Sequence, residues 1–299
     1  MIRPLVRSLR PAQWAKNLFV LAPLVFGRQL GAPVTVSHAL LALVAFCFAS
    51  STVYLLNDLR DREEDRRHPL KRLRPIAAGT LPVPIAITAA ALLGLAATAI
   101  AIVLGVPFLA ILGIYLLLNV LYTIWLKHMV ILDVMSISLG FVLRVLAGAE
   151  ATHVQVSRWL FLCTIFLALF LAFSKRRHEI MLLQGAASEQ RKVLDHYSPA
   201  FLDQMINVVT ASSVVSYALY SVSPETVEKY HTQDLVFTIP LVLYGIFRYL
   251  YLMYQNPGER NPTEAILRDP PFLINMVLWG IAVLWIVYSG GIARGLGRI

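Results

Sequence analysis

Charge is scarce in this chain, and acid is scarcer than base. Of 299 residues 14% are charged, with Asp and Glu numbering 17 against 26 Lys and Arg. That shortage excludes an ordinary water-soluble domain, in which about a quarter of the residues are charged. Cysteine is short too. Cys47 and Cys163 both lie in apolar runs, which excludes a disulfide framework or cysteine metal site and leaves two small buried hydrophobes. Low-complexity tracts and linkers are missing, so residues 1–299 read as a single polytopic domain. No small-residue cleavage site follows the apolar run behind Arg3, Arg7, Arg10 and Lys16, which argues against a cleavable signal peptide.

What fills the chain is apolar sequence: 58% hydrophobic, with a mean hydropathy of +0.68. A helix crossing a bilayer needs about 20 mostly apolar residues. The runs predict an all-α integral membrane protein with nine transmembrane helices, at 17–33, 36–56, 84–104, 107–125, 130–149, 158–174, 201–222, 234–254 and 272–293. The first is the weakest, being short and carrying Pro23 and Arg28. With the N-terminus inside, the inner segments 1–16, 57–83, 126–129, 175–200 and 255–271 hold 19 of the 26 Lys and Arg. This bias places the polar loops on the cytoplasmic side of the inner membrane. The three longest would form a cytoplasmic cap over a central cavity. The basicity is juxtamembrane, so membrane lipid and a phosphorylated substrate account for it and nucleic acid does not. The small-residue helix faces permit homo-oligomer packing.

The segment 57–75, NDLRDREEDRRHPLKRLRP, stands out between two apolar runs. At about 100° per residue, Asp58, Asp61 and Asp65 fall within roughly 60° of one helical arc. Clustered carboxylates repel unless a cation joins them, and hard oxygen ligands suit Mg²⁺ that also holds a phosphorylated substrate. Asn57, Asp58, Asp61 and Asp65 are the candidate metal ligands. The competing reading is a solvated interfacial helix whose acids pair with Arg60, Arg62 and Arg66. Lys71 and Arg74 follow as candidate phosphate clamps, with Arg the better fork for two oxygens. His68 has no second histidine spaced to join it and reads as a loop residue.

A second cluster, Lys175-Arg176-Arg177-His178-Glu179, ends the sixth apolar run with three consecutive cations and one acid. It suits a phosphate separate from any metal-bound one; a topogenic basic cluster is the alternative. Lys127, in a very short inner turn after Tyr122, would stand at the mouth of a cavity. Asp133, Ser136, Gly140, Arg144 and Ala147 form one small or polar helical stripe, with Arg144 about 16 Å along the helix from Asp133. An arginine near mid-membrane requires a partner or a water-filled cavity. At the N-terminus, Trp14 fits an interfacial belt, and Lys16 and Asn17 are placed to meet a lipid phosphate or simply to anchor the chain.

R-P-x-Q-W-x-K-N, then N-D-x-x-D-x-x-x-D-R-x-H-P-x-K, R-P-I-A-x-G, G-F-V-L-R-x-x-A-G and K-R-R-H-E together resemble the UbiA superfamily of intramembrane prenyltransferases, in its decaprenyl-phosphate phosphoribosyltransferase branch. The resemblance spans residues 3 to about 180, and the number and order of spans extend it to the C-terminus. Ordinary members carry a second D-x-x-x-D motif where this chain has K-R-R-H-E. The resemblance implies Mg²⁺ as cofactor, 5-phosphoribosyl-1-pyrophosphate as donor, a polyprenyl monophosphate as acceptor, and a place in arabinan and cell-wall precursor synthesis. It implies catalytic roles for Asp58 and Asp61. Substrate contacts would come from Lys16, Asn17, Asp65, Lys71, Arg74, Tyr122, Lys127, Arg144, Lys175, Arg176, Arg177 and Glu179. The rival within the family is a prenyltransferase using a prenyl pyrophosphate and an aromatic acceptor. A transporter, the rival outside it, would more often carry its charged site near mid-membrane. Alanine at Asp58 or Asp61 is expected to abolish turnover while the protein still inserts. An Asp58→Ala or Asp61→Ala variant that keeps most of its activity would remove the metal assignment.

Overall fold

The computed structural model describes residues 2–68, 71–183, 196–255 and 268–296. The described residues are almost wholly helical, in the order α1 Ile2–Leu9, a 3-10 helix Pro11–Leu21, α2 Ala22–Phe26, α3 Pro33–Arg60, α4 Arg62–Arg67, α5 Val83–Leu104, α6 Val106–Ile124, α7 Leu132–Thr152, α8 Arg158–Leu183, α9 Pro199–Val222, α10 Pro224–Tyr230, α11 Ile239–Gln255 and α12 Pro270–Leu296. Among the described residues, eight helices are long and apolar enough to cross a membrane: α3, α5, α6, α7, α8, α9, α11 and α12. The protein is a multi-pass integral membrane protein. Proline stands in the first turn of α3, α5, α6, α9 and α10, where its missing N–H has no helical partner to lose. Ser198 and Ser223 cap α9 and α10 by accepting from the N–H groups of Phe201 and Thr226.

The chain divides into two units. The first comprises residues 1–126 and 140–156, the second residues 127–139 and 157–299. In the first, Ala42, Ala45, Ala49, Ala97 and Ala101 are buried and bring α3 and α5 close together. Small residues permit that backbone approach where no hydrophobic force drives helices together. Phe46 meets Phe108 edge-on and Tyr115 at a tilt. In the second, Phe170, Phe173, Leu202, Ile206, Tyr249 and Met253 form the core of α8, α9 and α11. Leu92, Leu95, Ile102, Val103, Ile281 and Trp285 are exposed, as side chains that face lipid should be. Asp269 opens α12, accepting from Phe272 N–H and from both Arg248 Nε and Nη2. The Arg248 bond holds its carboxyl below the usual range.

The expected helix at 17–33 is not formed. The structure has a 3-10 helix there, then five residues of α2, then a turn at Gly27 and Arg28, the latter at φ 58°. Pro11 and Pro23 each withdraw a backbone donor, and the tighter 3-10 winding extends the chain at about 2.0 Å per residue. The two pieces therefore cover roughly 30 Å, about the hydrocarbon thickness of a bilayer. They run antiparallel to α3: Arg10 meets Asp58, Trp14 donates to Ser51, and Asn17 donates to Ser50. Part of the expected cap, at 184–195 and 256–267, lies outside the described residues.

The 3-10 segment is admitted by a missing side chain. A Cβ on Gly148 of α7 would stand 1.8 Å from the main-chain oxygen of Val20, whose side chain is fully buried. Backbone cannot move aside as a flexible side chain can. Gly148→Ala is expected to destabilise the protein by about 3 kcal/mol or more, read as a lowered Tm in detergent. Gly113→Ala, with nothing within 4 Å of its Cβ, should leave Tm unchanged or slightly raised.

Candidate functional site

The acidic segment folds into two consecutive helices joined at Asp61. Asp61 terminates α3, its N–H donating to Asn57 O, and Arg62 opens α4. The break brings Asp58 and Asp65 to one place, both 2% exposed. Arg74 Nη1 donates to Asp65 Oδ2 at 2.7 Å and to Asp58 Oδ1 at 3.2 Å. Arg10 Nη2 donates to the same Asp58 oxygen at 2.6 Å. Arg10 reaches it from a left-handed backbone position, φ 54°, with its guanidinium 4.9 Å over the Tyr54 ring. Asn57 Oδ1 accepts from Thr123 on α6 at 3.0 Å. Asp61 is half-buried beside them.

One guanidinium nitrogen thus lies within hydrogen-bonding distance of two carboxylates, which marks a point where oxygens converge on positive charge. These hard oxygen donors fit Mg²⁺. Among the described residues no three His, Cys, Asp or Glu side chains close a site by themselves. A small divalent ion held here would complete its shell with water and substrate oxygens, the usual arrangement for Mg²⁺. Arg66 Nε donates to Ala77 O at 3.2 Å and ties the R-P-I-A-A-G loop to α4, with Gly79 supplying a φ of 74°. His68 accepts from the N–H of Lys71 through Nδ1 at 3.2 Å. Burial, then Lys71, lowers its pKa, and its ring serves the loop as an acceptor.

Two expected substrate contacts lie deep in the first unit and hold each other. Arg144 Nε donates to Asn17 Oδ1 at 2.8 Å, Nη1 to Gly140 O at 2.7 Å and Nη2 to Tyr115 at 3.0 Å. Asn17 is fully buried and also donates to Ser50 and Cys47. The mid-membrane arginine therefore bonds three neutral oxygens and locks the 3-10 segment to α6 and α7. Lys16 and Tyr122 are half-buried in the same unit, Lys127 in the second.

In the second unit, Arg176 is 1% exposed and gives its fork to protein: Nε to Asp133 Oδ2 at 2.7 Å and Nη1 to Glu179 Oε2 at 2.5 Å. Asp133 is fully buried and accepts from Tyr197 at 2.7 Å. Burial, then Asp133, raises the pKa of that phenol. Arg177 pairs with Asp203 and stacks 4.0 Å over Tyr254. Lys175 is the most exposed of the three, 3.7 Å from Glu179. Ile131 N–H donates to Tyr197 at 2.6 Å from a left-handed backbone, φ 68°, a conformation that strains a β-branched residue by about 1–3 kcal/mol.

The sequence reading left Arg10, Tyr115, Tyr197 and Asp203 without roles. Arg10 had a signal, since it heads the R-P-x-Q-W motif; Tyr197 and Asp203 had none. Asp133→Asn would leave the buried Arg176 short of a charged partner, and a drop of about 3 kcal/mol in stability is expected. Asp203→Asn, with Asp203 part exposed, should cost under about 1 kcal/mol. Thermal unfolding of both variants checks the contrast.

The UbiA prenyltransferase family pattern matches residues 20–265. A decaprenyl-phosphate phosphoribosyltransferase of Corynebacterium glutamicum is 36% identical, over 95% of this chain and 86% of that protein. One of Mycobacterium tuberculosis is 33% identical, over 97% of this chain and 94% of its own length. Among solved structures, a UbiA homologue from Archaeoglobus fulgidus bound to GPP and Mg²⁺ superposes with a TM-score of 0.69 over 96% of this chain and 98% of that one, at 20% identity. With half-buried and buried acids at the end of α3 and a fold shared along nearly its whole length, the chain belongs to the UbiA prenyltransferase family.

Proposed function

We propose that the protein transfers the 5-phosphoribosyl group of 5-phosphoribosyl-1-pyrophosphate to a polyprenyl monophosphate, decaprenyl phosphate in its relatives, releasing pyrophosphate. The observation that carries this reading is the pairing of two unlike polar motifs in one chain. The acids of 57–65 converge on a cation, and the 175–179 segment is basic. The donor has a pyrophosphate at one end and a separate phosphate at the other, and the motifs match those ends in kind. The named relatives, similar over nearly the whole chain, support the same reaction.

Asp58 and Asp61 would hold Mg²⁺, with Asn57 and Asp65 assisting directly or through water, and the ion when bound would take charge from the leaving pyrophosphate. Arg74 and Lys71 stand ready for phosphate oxygens, and Arg74 keeps the carboxylates gathered. Lys175 meets the donor's other phosphate, while Arg176 and Arg177, engaged by Asp133, Glu179 and Asp203, fix the segment that carries it. Lys127 is assigned to the acceptor phosphate, and Lys16 is a further candidate cation for lipid phosphate. An oxygen of that phosphate attacks the anomeric carbon as the bond to pyrophosphate breaks on the opposite face, so inversion is expected. The acceptor is already anionic at neutral pH, and no strong general base is required. The positive-inside bias supports a cytoplasmic face of the inner membrane for this chemistry, with the product serving arabinan and cell-wall precursor synthesis.

One reaction tests this. Purified protein receives labelled phosphoribosyl pyrophosphate, polyprenyl monophosphate and Mg²⁺, with an EDTA control. Label should enter the organic phase only with metal present. Failure to transfer, with turnover of a prenyl pyrophosphate instead, would establish an ordinary prenyltransferase.

A further inference from the structure

The second unit contains a continuous polar chain that extends beyond the residues given roles above. Ile131 N–H donates to the Tyr197 hydroxyl, and that hydroxyl donates to Asp133 Oδ1. Asp133 Oδ2 accepts from Arg176 Nε, and Arg176 Nη1 donates to Glu179. Glu179 in turn stands beside Lys175. The chain runs from the turn that follows Lys127 to the basic end of α8. Asp133 and Arg176 are almost wholly buried and Tyr197 is 5% exposed, so water does not compete for these bonds. A phenol that donates to a carboxylate becomes a stronger acceptor, and its bond to the Ile131 amide gains from that.

The turn at Ile131 is a poor one for its residue. A left-handed backbone crowds the side chain of any L-residue, and branching at Cβ makes it worse. The neighbouring main-chain bonds, Leu132 N–H to Val130 O and Val134 N–H to Ile131 O, are local to the turn. The Tyr197 bond comes from 66 residues away.

We propose that Tyr197 is a positioning residue. Its hydroxyl latches the strained turn at Ile131, and through Asp133 and Arg176 it locks the Lys127 turn and the Lys175 segment into one phosphate-recognition element. This rests on the assignment of Lys127 and Lys175 to substrate phosphates made above. Without the hydroxyl, the backbone at Ile131 relaxes toward negative φ, and Lys127, four residues earlier, shifts with it. Glycine occupies the left-handed region without strain. Ile131→Gly should therefore hold the turn without the latch.

The test uses full-length protein in lipid nanodiscs: wild type, Tyr197→Phe, Ile131→Gly, the double variant and Lys127→Ala. Hydrogen exchange over 127–133 is read without substrate, and KM and kcat are read with phosphoribosyl pyrophosphate and polyprenyl phosphate. Loss of one buried hydrogen bond should speed exchange about tenfold in Tyr197→Phe. The same variant should raise the KM that Lys127→Ala raises, by about tenfold, with kcat within twofold. Adding Ile131→Gly should return exchange and KM close to wild type. Unchanged exchange in Tyr197→Phe, or no rescue by glycine, overturns the latch. Accelerated and rescued exchange with both KM values unchanged overturns its part in recognition. A wild type that transfers no label refutes the proposed reaction, while the exchange measurements still judge the latch.

Discussion

A chain that crosses hydrocarbon must close its own backbone hydrogen bonds, because lipid offers none. Among the described residues, eight helices long and apolar enough to cross meet that demand directly. Residues 11–26 close their own backbone bonds differently, in a 3-10 helix and a short α-helix packed on α3. That solution is irregular, and it depends on neighbours in a way the long helices do not. Asn17 supplies the polar link, and Gly148 supplies the space. Arg144 is tolerable in the interior because three oxygens, one of them from the irregular segment, surround its guanidinium. The costliest side chain of the first unit and its least regular backbone stabilise each other.

Charge follows the same economy. Asp58 and Asp65 are buried with Arg10 and Arg74, and Asp133 with Arg176. Lone ions in such surroundings would be destabilised by several kcal/mol each. The two groupings differ in character. In the first, a single nitrogen serves two carboxylates, an arrangement that a small divalent ion with substrate oxygens can replace. In the second, each oxygen of Asp133 has its own donor, which leaves that carboxylate to structure.

Much of this was legible in the sequence. The apolar runs placed the eight long helices, because length and hydropathy set them, although α3 and α8 run on past the expected spans to Arg60 and Leu183. The spacing of Asp58, Asp61 and Asp65 put the acids on one side, and in the folded chain Arg74 bonds the outer two. Two features were not legible. The 17–33 run has the composition of a span, and composition does not distinguish α from 3-10 winding; only the approach of Val20 to Gly148 shows why the tighter form fits. Arg144 and Asn17 carry the residue types of a phosphate site, yet each is the other's partner. Arg176 likewise sits among cations in sequence and among carboxylates in space. Long-range pairing decides such cases, and no local pattern encodes it.

The bond between Asn17 and Arg144 joins residues 127 positions apart. A ribosome adding about 5–20 residues per second delivers Asn17 roughly 6–25 seconds before its partner. The segment made first is therefore the one that must wait longest. For that interval its extra polar groups have neither the Arg144 guanidinium nor the bare face of Gly148 to receive them. Ser50 and Ser51 of α3, 33 and 37 positions on from Asn17 and Trp14, are made far sooner, so α7 completes a packing that α3 can begin.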